Sequence, residues 1–451
     1  MEKIDLLIAA RWVIPITPPH CVLENYAVLV HKSRILRVLP LAEAQQQYRP
    51  KQSIELKDHV LMPGLVNAHA HTPMNLFRGL ADDLNLMDWL HHHIWPAEKA
   101  LINAQSVTIG TRLAIAEMLR GGITCFNDNY FFHDTIAKVA AEEGIRACVG
   151  MVIMSVPTGW AKEEAGYFQK AIATLEHTQA HPLITWSLAP HAPYTVSNAS
   201  LRKVKEWADQ YQLPIHMHVH ETPTEIEQSL KEHGVRPLER LHRLGLLSPR
   251  FIGVHMTQLV DDDIHLLQNT QAHVVHCPES NLKLASGIAP IAQLLKKGIN
   301  VAIGTDGAAS NNDLDLWGEL RTAALLAKVH AHDPTCLPAH EALAMATLHG
   351  AQALGLEKEI GSIEVGKSAD LIAIDLSSYL TQPVYHPISH LVYAVNRLQV
   401  SDVWIQGKQL LKKGVLTQLE THQLVEAARY WADKAAPFGM RSIYSSRETV
   451  S

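Results

Sequence analysis

His69-Ala70-His71 closes the apolar run Leu61-Met62-Pro63-Gly64-Leu65-Val66. Side chains two apart on a strand share a face, so both imidazoles can reach one metal ion if this run is a buried strand. Polar residues recur at the ends of later apolar runs: Asp128, His191, His218 with Glu221, His255, and Asp306. Each has a bland reading alone, His191 as a loop residue, His255 as a core histidine and Asp306 as a turn aspartate. Buried polar groups are costly unless paired or ligated, however, and their recurrence points to one shared site. Three imidazoles and one carboxylate suit Zn²⁺, with Fe²⁺ or Mn²⁺ as alternatives, and leave a position for water. A divalent cation in such a shell lowers the pKa of bound water to about 7, which makes hydrolysis the expected chemistry.

His69, His71 and Asp306 are candidate ligands, and the remaining imidazole comes from His216-Met217-His218-Val219-His220. Strand parity puts all three of these histidines on one face and does not choose among them. Glu221 favours His218, three residues before it, because a ligand and a proton carrier would then serve one substrate. His216 and His220 are expected to pack or to support the ligands. His91-His92-His93 is expected on a surface or loop, since three adjacent imidazoles on a helix cannot face one point.

These residues need a scaffold. Strands are expected over 60–71, 122–130, 146–154, 184–191, 213–221, 251–257, 272–280 and 301–306, with helical periodicity between them, as over 106–120, 134–143, 200–212 and 288–297. Eight strand and helix units fit a (β/α)₈ barrel, whose active site lies at the C-terminal strand ends. An open doubly wound sheet is the competing fold, but no Gly-x-Gly-x-x-Gly phosphate loop is present to support a dinucleotide site. Strand-like stretches before residue 60, with no helical period among them, and again at 370–375 and 400–405 are each too small to bury a sheet alone. They are expected to pair into one small β-sandwich. The division is therefore residues 1–60 plus 361–451, ending in a helix over 420–434, around a catalytic barrel at 61–360. None of the eight strands ends in a lysine that could bridge two metals, so one metal ion per subunit is expected.

Composition narrows the partners. The 451 residues carry a formal charge of −6, which argues against nucleic acid and anionic membrane. No apolar stretch reaches the roughly 18 residues of a membrane span. Five scattered cysteines with no Cys-x-x-Cys pair, and a start without signal-peptide character, suggest reduced thiols and the cytoplasm. Histidine, at 28 residues, is about three times as frequent as usual.

The segments Leu61-Met62-Pro63-Gly64-Leu65-Val66-Asn67-Ala68-His69-Ala70-His71, His218-Val219-His220-Glu221, Gly253-Val254-His255 and Gly304-Thr305-Asp306-Gly307 resemble the amidohydrolase superfamily. Trp89, Glu98, His191 in Ala189-Pro190-His191-Ala192-Pro193-Tyr194, and Asp306 with Ser310 are similar to the pattern of its 5′-methylthioadenosine/S-adenosylhomocysteine deaminases. The resemblance implies His69, His71, His218 and Asp306 as metal ligands and Glu221 as the proton shuttle at purine N1. It implies that His255 steadies the attacking oxygen and Asp306 takes the water proton. Glu98 would hold the ribose hydroxyls, with His191 facing the nucleoside, Trp89 packing beside it and Ser310 touching the base. Packing alone is the other reading of Trp89.

A family member that takes S-adenosylhomocysteine is expected to hold its carboxylate with arginines. Arg146 is the one candidate, and Ser155-Val156-Pro157-Thr158-Gly159-Trp160 supplies no second. A neutral 5′ group follows, which favours 5′-methylthioadenosine, adenosine or 5′-deoxyadenosine over S-adenosylhomocysteine. Deamination at C6 and a homo-oligomer are what the resemblance implies. A deaminase or chlorohydrolase acting on guanine, cytosine or an s-triazine is the alternative enzyme, although such rings carry no ribose diol for Glu98. A metal-free barrel serving as a binding module is the alternative outside enzymes.

Overall fold

The computed structural model describes residues 1–177 and 179–440. Its strands are β1 (Glu2–Val13), β2 (Leu23–His31), β3 (Arg34–Pro40), β4 (Tyr48–Pro63), β5 (Leu65–Ala70), β6 (Ile123–Tyr130), β7 (Arg146–Ile153) and β8 (Ile184–Pro190). They continue as β9 (Ile215–Val219), β10 (Phe251–His255), β11 (His273–His276), β12 (Val301–Ile303), β13 (Leu371–Asp375), β14 (Val400–Ile405), β15 (Lys408–Lys412) and β16 (Val415–Leu416).

Strands β5 to β12 follow one another in order, all parallel, and a parallel bridge from Ala70 to Asp306 joins the last to the first. This is the expected (β/α)₈ barrel, and all eight expected strands contribute to it. The intervening helices form where apolar residues recur at helical spacing behind a cap. In Ala104–Arg120, Asn103 accepts hydrogen bonds from the N–H groups of Gln105 and Ser106, and the helix buries Val107, Ala114, Ile115 and Met118.

The other eight strands make one mixed sheet in the order β16-β15-β14-β13-β4-β1-β2-β3. It curls so that the β2–β3 turn meets the strands from the chain's other end: Arg34 bridges to Ser368, just before β13, and a Cβ at Gly407, between β14 and β15, would lie 3.2 Å from Val30. Leu6, Ile8 and Val28 thereby share a core with Leu371, Ala373 and Trp404. Neither end of the chain could have buried these residues by itself.

Three local readings change. The stretch 60–71 is two strands in different sheets, broken at Gly64, where a Cβ would lie 2.0 Å from Thr124 Oγ1. Only glycine lets the chain pass β6 so closely as it crosses into the barrel. Strand β11 stops at His276, and Pro278–Lys283 is a helix opened by proline, whose fixed φ and missing N–H suit that position. A short helix, Leu41–Gln47, stands among the first strands; its seven residues are strong helix formers but too few to show a period.

No helix among the described residues is long and apolar enough to cross a membrane. All five cysteines are unpaired, with Cys125, Cys148 and Cys277 buried.

Candidate metal-dependent active site

The C-terminal ends of β5, β9 and β12 bring His69, His71, His218 and Asp306 to one point. Asp306 Oδ1 lies 3.2 Å from His69 Nε2 and 3.2 Å from His71 Nε2, and His71 Nε2 lies 3.3 Å from His218 Nε2. A tetrahedral ion with Zn–N bonds near 2.0–2.1 Å holds its ligand atoms about 3.3 Å apart, so the spacing fits such a centre.

Proton bookkeeping leads to the same conclusion. His71 Nδ1 donates to the Asn129 carbonyl at 2.5 Å, and His218 Nδ1 donates to the His191 carbonyl at 2.7 Å. Both rings in their neutral form therefore present a bare Nε2 lone pair to the shared point. His69 Nδ1 lies 3.2 Å from His216 Nε2, and donating there leaves His69 Nε2 bare as well. Three lone pairs and a carboxylate oxygen facing one another repel unless a cation lies between them. His216 thus lies behind His69, on the side away from the shared point.

His220 leaves the site because β9 ends at Val219 and His220 takes a φ of +57°. Its Nε2 accepts the Leu238 N–H at 3.1 Å. His255 and Asp306 also adopt positive φ, +76° and +60°. Left-handed backbone is uncommon for non-glycine residues, and its occurrence at three strand ends of one rim marks positions held against local preference.

His255 and Glu221 stand beside this cluster. The nearest nitrogens of His69, His218 and His255 lie within 4.8 Å of one another, and His255 Nε2 is 3.9 Å from Glu221 Oε2. His255 Nδ1 contacts Asn281 Oδ1 at 2.8 Å. Burial raises the Glu221 carboxyl; His255 pulls it back, and the Asp306 carboxylate adds to the rise. Asp306 Oδ2 accepts the hydroxyls of Ser280 at 2.7 Å and Ser310 at 2.9 Å. Ser280 and Asn281 lie on the helix that replaces the end of the expected seventh strand, so strand-end reasoning missed them.

A cavity opens above this cluster, and Trp89, Glu98, His191, Glu221, His255 and Ser310 line it together with His71, His218 and Asp306. Glu98 accepts the Tyr130 hydroxyl at 2.5 Å. Burial pushes its carboxyl up to about 7, although Tyr130 and His71 act the other way. Burial also lowers His191 to about 4, which keeps that ring neutral, with Nδ1 3.0 Å from Thr195 Oγ1. Tyr130 was not anticipated; it follows Asn129, whose carbonyl orients His71.

Arg146, expected to contact the substrate, does not join the site. It is the first residue of β7, at the barrel's N-terminal end, whereas ligands gather at the opposite end. Its guanidinium forms a buried ion pair with Asp370 at 3.0 Å and donates to Ser368 Oγ and the Pro182 carbonyl, both at 3.2 Å. Asp128 is also structural, accepting the Thr72 N–H at 2.9 Å. His91 and His92 are exposed, and His93 Nδ1 donates to the Phe438 carbonyl at 2.7 Å, which fits their surface reading.

Comparison with known proteins agrees with this geometry. The sequence profile of the amidohydrolase family matches residues 60–410. A protein of Teredinibacter turnerae named 5-methylthioadenosine/S-adenosylhomocysteine deaminase is 45% identical over 96% of this chain and 98% of its own length. One of the same name from Saccharophagus degradans is 44% identical over 95% of this chain and 96% of its own. The crystal structure of an adenosine deaminase from Xanthomonas campestris with bound zinc superposes with a TM-score of 0.96 at 52% identity, covering 97% of this chain and 99% of that one. A zinc-complexed atrazine chlorohydrolase from Arthrobacter aurescens shares the fold, with a TM-score of 0.87 at 23% identity over 95% of this chain and all of its own. With its barrel, its rim of histidines and these relatives in agreement, the chain belongs to the amidohydrolase family.

Proposed function

We propose that the chain is a zinc-dependent deaminase that replaces the 6-amino group of adenosine-type nucleosides with oxygen, acting foremost on 5′-methylthioadenosine and releasing ammonia. The observation that carries this reading is Glu98. It is a carboxylate in the same cavity as the histidine and aspartate cluster, suited to accept the two hydroxyls of a ribose while the base reaches toward Glu221. Guanine, cytosine and triazines carry no such diol.

His69, His71, His218 and Asp306 would hold the ion, which would supply the Lewis acidity that makes water nucleophilic near neutral pH. Asp306 takes the proton of the attacking water through an oxygen whose partner is fixed by Ser280 and Ser310. Glu221, whose carboxyl burial raises, donates a proton to N1 as C6 becomes tetrahedral. His255 hydrogen-bonds the incoming oxygen, and the proton on Asp306 passes to the amino group as ammonia departs. Trp89 and His191 wall the nucleoside, and Ser310 contacts the base.

The 5′ group is read from a second chamber beside Glu98, walled by Ile102, Phe131, Met154, Val156 and Trp160, with Lys99 as the one cation among its lining residues. An apolar chamber supports a thioether, and with Arg146 on the barrel floor no arginine lines it. The test is kcat/KM for 5′-methylthioadenosine, adenosine, 5′-deoxyadenosine and S-adenosylhomocysteine, followed by loss of adenine absorbance. A clear preference for the homocysteine derivative would overturn the assignment. The unpaired cysteines support a cytoplasmic location, and the homo-oligomer that the family resemblance implies can be checked by light scattering.

A further inference from the structure

Glu225 touches neither the cavity nor the ion cluster, yet its side chain is only 5% exposed, which calls for a reason. It is the third residue of the helix Pro223–His233, whose N-cap Thr222 accepts the Glu225 N–H at 3.4 Å. An ordinary capping box would return the Glu225 carboxylate to the N–H of Thr222. Here it reaches further back: Oε1 accepts the His220 N–H at 2.9 Å and Oε2 accepts the Glu221 N–H at 2.8 Å.

These two amides belong to the turn that ends β9. His220 has a φ of +57°, and this left-handed step turns the chain so that Glu221 lines the cavity. The same turn is held from its other side, where Thr257 Oγ1 donates to the Glu221 carbonyl at 2.7 Å and Thr257 N–H to the His220 carbonyl at 3.0 Å. Glu221 itself belongs to no helix or strand, so these bonds are what fix its backbone. Without the Glu225 side chain, two buried N–H groups would lose their partners and the turn would relax toward unstrained backbone.

We propose that Glu225 is a positioning residue for catalysis, a buried carboxyl group that holds the strained 220–221 turn and so aims Glu221 at the substrate. The inference rests on the reading of Glu221 as the proton carrier. Placement of a proton donor matters in the transition state more than in ground-state binding, so the defect should appear in kcat.

The test compares Glu225→Gln, Glu221→Gln and the double variant with the zinc-loaded wild type on 5′-methylthioadenosine, well below the unfolding temperature of each. Glu225→Gln should lower kcat about 10- to 100-fold while KM moves less than about threefold and zinc content is unchanged. In the Glu221→Gln background the same change should cost less than about twofold, because the group it positions is already gone. An equal fold-loss in both backgrounds would make Glu225 merely structural and overturn the proposal while leaving the role of Glu221 intact. Full activity of Glu221→Gln alone would overturn both. If Glu225→Gln does not fold, Thr257→Val loosens the turn from the opposite side and should give the same kcat-only loss, silent in the Glu221→Gln background; additive losses there would refute the idea equally.

Discussion

Replacing Glu98 with glutamine isolates the group on which the nucleoside assignment depends. The change keeps size and shape, and the amide can still meet the Tyr130 hydroxyl, so the cavity should survive. What disappears is the charge. A hydrogen bond to a charged partner is worth about 1.5–3 kcal/mol, and 1.36 kcal/mol is a factor of ten, so kcat/KM for a ribonucleoside should fall about 10- to 150-fold. A 2′,3′-dideoxyadenosine offers no hydroxyl to Glu98, and its kcat/KM should differ between wild type and variant by less than about threefold.

The pH profile provides a second readout. Burial pushes Glu98 up to about 7, so the ionised form that accepts two hydroxyls is reached only as pH rises through that value. Wild-type kcat/KM for the ribonucleoside should show a rising limb near pH 7 that the variant lacks. For folding the sign is opposite. A carboxyl with a folded pKa above its unfolded value near 4.5 contributes stability fully present below the unfolded value and lost as pH rises through 7. Thermal unfolding should therefore find the variant the more stable protein at pH 8 and the advantage gone at pH 4.5. Equal losses of kcat/KM for the ribo- and dideoxynucleosides would refute the reasoning, since Glu98 would then serve the pocket's shape rather than the ribose.

The remaining predictions concern the other parts of the assignment. Arg146→Ala strands Asp370 in a buried pair and should cost about 3–5 kcal/mol in chemical denaturation, while the ratio of kcat/KM values across 5′ substituents stays unchanged; an altered ratio would return Arg146 to the substrate. Glu221→Gln should lose at least about two decades in kcat with its metal retained, as measured by elemental analysis, and full activity would remove Glu221 from its role. Stripping the ion with a chelator should abolish deamination and lower the unfolding temperature, because the lone pairs of His69, His71 and His218 are left facing one another, and Zn²⁺ should restore both. An apoprotein as stable as the holoprotein would refute the proton assignment made for those rings.

Much of the site was legible in the sequence because barrel architecture converts sequence position into place. A polar residue at the end of an apolar run falls on one rim, and His69, His71, His218, Glu221, His255 and Asp306 all obeyed that rule. The rule uses strand parity only while the strand lasts. His216 and His218 follow it, one behind the ligands and one among them, whereas His220 does not, since the strand has ended and φ has changed sign. Nothing in His-Met-His-Val-His announces where the turn falls; that is decided by Glu225, five residues after His220, and by Thr257 on the next strand's loop. Ser280 and Asn281 escaped notice for a related reason, because the apolar run that contains β11 gives way to a helix at Pro278.

Arg146 shows how direction along a strand outweighs proximity in sequence. It follows the run Glu142-Glu143-Gly144-Ile145, a plausible place for a substrate contact, but it begins its strand rather than ending it. In a parallel barrel that difference moves a side chain through the whole length of the strand, away from the cavity and toward the curled sheet. Buried there, a guanidinium must be paired, and Asp370, at the foot of β13, supplies the charge while Ser368 and Pro182 take two further N–H groups. The pairing joins the two sheets across residues 224 apart in the chain. The arginine that could have selected a carboxylate at the 5′ position therefore serves to lock the small sheet against the barrel.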